Sequence, residues 1–328
     1  MMYKKIISFI VVIGLLLVVT IYSMITGSIE ITAGELITGL FTGTNENVEI
    51  IKDLRLPRIV IAIFAGAALS VSGVLLQAVM RNPLAEPGII GVSSGAGFVS
   101  IIMITFFPTL YFYTPLFSFI GGAIAFLLVY MFSWKSGLNP LRMILIGVAI
   151  NAVFTGLSEF ITSQNASSMM SGISVTSSTL TMKTWGDVEV MVLYGSIGLI
   201  LSMLLFAWCN HLGLRDKTLK NLGFRVNRAR FIISIVAVLL ASIATAIAGM
   251  FTFVGLLIPH IGRTLIGNDH KLLIPFSAIA GALLILTADT LGRTLVSPIE
   301  IPASIIVAII GGPFLIFLLR KSDRIYGN

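Results

Sequence analysis

Charge is scarce in this chain. Only 11% of its 328 residues are Asp, Glu, Lys or Arg, where an ordinary soluble domain has about 25%. So few polar groups cannot cover a soluble surface, which excludes the soluble globular classes. The formal charge of +7 does not point to nucleic acid, because the basic residues do not lie along one soluble face. In a chain this apolar, Lys and Arg set orientation. Cysteine is nearly absent as well. Cys209 stands alone in the apolar run SMLLFAWCN, which excludes an internal disulfide and argues against a thiolate metal centre, since that needs several ligands. No G-x-x-x-x-G-K-[ST] loop is present, so the chain does not use ATP in the usual way. No H-E-x-x-H or cysteine cluster suggests a catalytic metal. The histidines His211, His260 and His270 are far apart, and His260 reads as a structural, hydrogen-bonded side chain in preference to one that touches a bound solute. Within the apolar runs the carboxylates are Glu159 and Asp289, both toward one end. Ion-driven carriers usually place such groups near the midplane, which weighs against a secondary transporter without removing it.

What the chain does have is apolar length. Hydrophobic residues make up 57% of it, with a mean hydropathy of +1.04. About 20 apolar residues cross a bilayer, and that rule predicts spans near 6–26, 59–80, 89–107, 116–134, 143–163, 190–209, 231–250, 272–291 and 301–319. The first follows Lys4 and Lys5. It is longer than the 7–15 residues of a signal peptide core and no cleavage site follows, so it reads as a retained helix. A shorter piece, Phe251 to Arg263, is interrupted by Pro259 and reads as a re-entrant element or a short buried span. Counting it as a crossing gives an all-α, polytopic chain of about ten spans. Residues 1–328 then form a single transmembrane domain with both termini on one side. With those termini in the cytoplasm, sixteen Lys and Arg fall inside and five outside, as the positive-inside bias requires.

The chain is organised around Arg55 to Gly97. Two arginines flank Pro57, an apolar run rich in small residues follows, and Arg81 and a proline-bracketed turn close it. Small residues let helices approach closely in lipid, so this reads as a tightly packed helical hairpin. On that topology Arg55, Arg58 and Arg293 are outer cations. They either snorkel or pair with outer acids (Glu30, Glu35, Glu46, Glu49, Asp53), or they form a cationic docking surface for an acidic partner. The longest inner loop, 211–230, is strongly basic. Leu214, Leu219 and Leu222 lie on one side of it, as a membrane-surface helix or as a lever for a groove on a cytosolic protein. The outer segment 164–189, rich in Ser, Thr and Met, reads as a solvated loop or a lid.

Several stretches, in order, resemble the FecCD/BtuC-type permeases: Leu54-Arg55-Leu56-Pro57-Arg58; the run Gly73 to Gly97 with QAVMRNPLAEPGIIGVSSGAG; Phe253 to Arg263 (FVGLLIPHIGR); Ala288 to Arg293 (ADTLGR); Glu300-Ile301-Pro302; and Gly311-Gly312-Pro313. The resemblance covers nearly the whole chain. It implies a BtuC-like permease domain in the cytoplasmic membrane, belonging to a binding-protein-dependent ABC importer. It also implies a second permease subunit (homodimer or related chain) with the pathway between the two, two cytosolic ATPase subunits, an external substrate-binding lipoprotein, surrounding lipid, and no permanently bound cofactor. The permease itself is then not an enzyme. By position, Arg55, Arg58 and Arg293 match the arginines that meet acidic receptor residues. Arg215, Asp216, Lys217, Leu219, Leu222 and Gly223 match the ATPase-coupling loop, with Arg215 and Leu219 where relatives tend to have Gly and Ala. Asn139, Pro140 and Leu141 stand where relatives often carry small polar gate residues, which implies a more apolar inner gate. Leu180-Thr181-Met182-Lys183 with Trp185 and Asp187 resembles haem-uptake permeases of Gram-positive type. The expected cargo is therefore an iron complex, haem or ferric siderophore. A cobalamin importer of the same family and an ion-coupled secondary transporter are the alternatives.

Overall fold

The computed structural model describes residues 2–26, 34, 46–133, 140–164, 180–296 and 299–326, and the side chains of all of these except 2, 46–48, 140, 141 and 317–326. Thirteen α-helices carry the described fold. They are α1 (Met2–Ile25), α2 (Glu46–Leu54), α3 (Leu56–Met80), α4 (Val92–Phe106), α5 (Thr114–Ser133), α6 (Pro140–Gln164), α7 (Trp185–Leu204), α8 (Phe206–Leu212), α9 (Asp216–Asn221), α10 (Val226–Ala248), α11 (Val254–Ile266), α12 (His270–Thr294) and α13 (Ala303–Tyr326). A 3-10 segment, Pro108–Tyr113, joins α4 to α5. Among the described residues, seven helices are long and apolar enough to cross a membrane, and three shorter apolar ones, within α4, α11 and α13, bring the apolar helices to the ten expected. Hydropathy misplaces two boundaries. The apolar run predicted at 89–107 turns until Gly91 (φ 82°) and becomes helical at Val92. The run at 190–209 breaks at Leu205, whose N–H bonds Ser202 O at 3.2 Å and tightens the last turn of α7.

Helix α3 lies at the centre, packed by α7, α10, α11 and α12. Its sequence explains this position: beyond Arg58 it holds no charge, and its small residues permit backbone contact on several sides. At Gly66 an added methyl would overlap the carbonyl of Gly281 in α12, and at Gly73 one would overlap the backbone of Gly255 in α11. Between these contacts Ser70 Oγ donates to Ser277 O at 2.7 Å and Ser72 Oγ to Ala237 O at 2.7 Å. In lipid, such packing and hydrogen bonds replace the hydrophobic effect between helices. Helices α1 and α6 leave most of their apolar surface uncovered within the chain.

The expected interruption at Pro259 does not occur, since α11 runs continuously through it. Proline has no N–H for the carbonyl four residues back, which here belongs to Gly255. Gln77 of α3 supplies the donor instead, its Nε2 lying 3.1 Å from Gly255 O. Arg263, one turn beyond the proline, donates through Nη1 to Gln77 Oε1 and fixes the amide orientation. A backbone group that would otherwise be orphaned is thus satisfied from a neighbouring helix.

Candidate functional site

The two ends of α3 carry separate polar clusters. At its N-terminal end Arg58 forks onto Asp289 of α12, with Nε 3.0 and 2.9 Å from the two carboxylate oxygens and Nη2 at 2.8 Å from Oδ1. Its Nη1 reaches Glu300 at 2.9 Å, and Thr181 Oγ1 donates to the same Glu300 oxygen at 2.9 Å. Arg293, one turn after Asp289, lies 3.6 Å from that carboxylate and donates to Ser23 O and Oγ at 3.2 and 2.6 Å. Arg55 donates to Met24 O at 2.7 Å and Ile25 O at 3.2 Å. All three expected arginines therefore converge, two of them holding the last turn of α1. Among the described residues, Arg58 pairs with Asp289 and Glu300, and Arg293 with Asp289. Asp53 instead accepts from Trp185 Nε1 at 3.3 Å. Glu30, Glu35 and the side chain of Glu46 lie outside the described residues.

Burial divides this cluster. Arg58 and Asp289 are buried, whereas the Glu300 side chain is 41% exposed. Partial burial opposes ionisation of Glu300, but Arg58 and Thr181 outweigh it and hold the carboxyl below its ordinary range. Nearby, Asp187 and Thr184 form a capping box that starts α7, with Thr184 N–H donating to Asp187 Oδ2 at 2.7 Å. Tyr111 donates to the other Asp187 oxygen. Of the expected outer segment, 165–179 lies outside the described residues.

At the other end, Arg81 caps α3 in the left-handed conformation (φ 50°). That backbone directs its side chain at the 211–230 loop. Nε donates to Leu212 O at 2.6 Å, Nη2 to Leu214 O, and Nη2 also pairs with Asp216 at 2.7 Å. Arg230 of α10 takes the same Asp216 oxygen at 3.1 Å. The six-residue α9 is therefore fastened at its first residue to both α3 and α10. It ends in a Schellman motif: Gly223 (φ 75°) bonds Lys220 O at 3.0 Å and Phe224 N–H bonds Leu219 O at 2.9 Å. The leucines do not share a side as expected. Leu219 is buried, while Leu214 and Leu222 are 47% and 73% exposed, because a helix of fewer than two turns anchors one apolar residue and leaves the flanking ones outside. Arg215 precedes α9 as its N-cap residue without a side-chain cap bond, and Lys217 is exposed. Asn139 lies outside the described residues. Pro140 and Leu141 begin α6, and their side chains are also outside them.

Sequence reasoning missed a third polar centre, Glu86, in the turn between α3 and α4. It is 1% exposed and accepts the Phe253 N–H at 3.0 Å. Phe253 is left-handed (φ 69°) and leads into α11 without a side-chain cap of its own, so Glu86 caps a helix 167 residues away in the chain. Burial pushes its carboxyl up to about 7 against the pull of the Phe253 N–H. The Pro83–Pro87 bracket marked the turn, but nothing local shows which helix the carboxylate serves. His260 packs edge-on to Phe314, ring centroids 5.7 Å apart.

Known proteins agree with this architecture. The model of the FecCD transport family matches residues 15–321. The "Probable heme-iron transport system permease protein IsdF" of Staphylococcus aureus, in strains MSSA476 and Newman, is 44% identical over 321 residues, covering 98% of each chain. A solved transporter assigned to the metal-chelate ABC type, in an inward-facing conformation, superposes with a TM-score of 0.80 at 28% identity, covering 97% of this chain and 99% of that one. PsaBC from Streptococcus pneumoniae shares the fold, with a TM-score of 0.61 at 15% identity over 87% of this chain and 95% of that one.

Proposed function

The chain belongs to the FecCD transport family, and from that premise we propose that it is the permease subunit of an ABC importer for an iron complex, haem or ferric siderophore, handed over by an external binding protein. It is a multi-pass cell-membrane protein. The observation that carries the reading is the separation of its two polar clusters. Arg58 and Arg81 sit at opposite ends of one 25-residue helix, about 35 Å apart, enough to cross the hydrocarbon core of a bilayer. One end offers a docking face around Arg55, Arg58, Arg293 and Glu300. The other offers α9, with exposed Leu222 and Lys217, to a cytosolic ATPase, and both termini lie on that side. A second permease subunit covers the apolar faces that α6 and α13 leave open, and cargo passes between the two copies as ATP binding rocks them. Asp289, one of the two carboxylates inside the spans expected from hydropathy, is engaged by Arg58 and Arg293, which leaves it ill-suited to carry a coupling ion.

The test is uptake into proteoliposomes supplied with binding protein, ATPase and ATP, over a panel of haem and ferric chelates. Uptake of an iron complex that needs all three components is expected. Uptake that persists without the ATPase and collapses with an uncoupler would overturn the reading in favour of a secondary carrier. Replacing Arg55, Arg58 and Arg293 by Glu weakens capture of the binding protein while ATPase assembly survives. If ATPase assembly fails as well, the three arginines hold the fold rather than the partner.

A further inference from the structure

Beside the coupling loop, two cavities of opposite chemistry adjoin along α10. The first is a groove of about 240 Å³ between α5 and α10. Its walls are Phe119, Phe126 and Leu127 on one side and Phe231, Ile235 and Val238 on the other, with the small Ala123 and Ser234 between them. Gly122 packs against Ser242 so closely that a methyl there would strike the serine hydroxyl. The helices therefore meet tightly at that level, and the groove lies beside it where these bulkier residues line the walls. The second cavity, about 270 Å³, is lined by Lys220, Arg225 and Arg228 with Phe224, Val226 and Asn227. These three cations are exposed, and among the described residues none has an ion pair, whereas Arg81 and Arg230 are both committed to Asp216.

The two cavities share a helix face. On α10, residues three and four apart are neighbours, so 227/228, 231, 234/235 and 238 form one continuous line from the basic cavity into the apolar groove. On α5 the matching line, 119, 123, 126/127, ends at Tyr130, stacked on Phe126 with centroids 6.1 Å apart. An aromatic residue with a polar tip at that depth marks a membrane–water interface. An acidic protein could neutralise the cations but would leave the groove empty, and a free anion would do the same. An anionic amphiphile fills both.

We propose that this face is a binding site for an anionic diacyl phospholipid, its phosphate held by Lys220, Arg225 and Arg228 and one acyl chain seated between α5 and α10. Basic pockets beside transmembrane helices hold anionic headgroups in this way, with each cation contributing modestly.

The full-length permease, mixed in detergent with equal phosphatidylglycerol and phosphatidylcholine, should retain the anionic lipid about tenfold better by native mass spectrometry. R225Q/R228Q should keep bound lipid but lose that preference. Equal retention of both lipids by the unaltered chain, or an unchanged preference in the variant, overturns the site. A photoactivatable phosphatidylglycerol needs no variant. Labelling of peptides containing 119–127 and 231–238 supports the site, and labelling confined to other helices overturns it. If glycerophosphoglycerol, the headgroup alone, displaces the label, the cavity is an anion site only. If added ATPase subunits displace it completely, the cations belong to that protein.

Discussion

Gln77 supplies in the membrane what water supplies at a soluble surface, a donor for the carbonyl that Pro259 leaves open. Q77L should therefore orphan the Gly255 carbonyl and lower stability by about 1–3 kcal/mol, seen as a fall in thermal unfolding temperature in detergent. In a P259A background the substituted alanine can supply its own N–H, so the same leucine should cost clearly less, and equal costs in both backgrounds would dismiss the substitution of one donor for another. Glu86 gives a pH signature. Its folded carboxyl sits near 7 against an ordinary 4.5, so the folded form holds a proton that the unfolded chain has lost. That contribution is complete below about 4.5 and disappears as pH rises through about 7. E86Q, which still accepts the Phe253 N–H, should flatten the fall in unfolding temperature between those pH values, and a parallel pH profile for wild type and variant would refute it. The arginines at 55, 58 and 293 were legible as an anomaly of charge. Their partners were not, because Asp289 and Glu300 are brought to Arg58 only by tertiary packing across more than 200 residues.

Among the elements, apolar length revealed nearly every long helix, since in lipid a span must bury its backbone within itself. It misread breaks inside continuous apolar runs, as at Leu205 and before Val92, where hydropathy stays high while the backbone turns. It also misjudged Pro259, because the remedy for a missing N–H lies on another helix. The small residues of α3 were legible as a packing signal, though not their pairing. G281A should push α12 away from α3 at Gly66 and cost about 1–3 kcal/mol, measurable as reduced unfolding temperature, whereas G14A on the open face of α1 should cost far less. At the proposed coupling loop, D216N removes the anion shared by Arg81 and Arg230. ATPase subunits should still bind through exposed α9 residues, but the ratio of cargo moved to ATP hydrolysed should fall several-fold, since α9 loses its tie to α3. An unchanged ratio would reduce Asp216 to a surface ion pair of little consequence.

At the level of the whole molecule, the imbalance of sixteen basic residues against five predicts which end faces the cytoplasm. In a Cys209→Ser background, a cysteine at Glu300 should react with an impermeant maleimide in intact cells and one at Leu222 only after lysis. Both positions are exposed, so reaction at one side for both would discard the topology. A rod that reaches from one water layer to the other can tilt or shift but cannot shorten. Whatever grips α3 through Arg58 therefore also sets where Arg81 presents α9. In the proposed importer, receptor and motor then share one free-energy balance: if the ATPase tightens capture of the loaded receptor by some factor, the receptor must tighten the hold on the ATPase by the same factor.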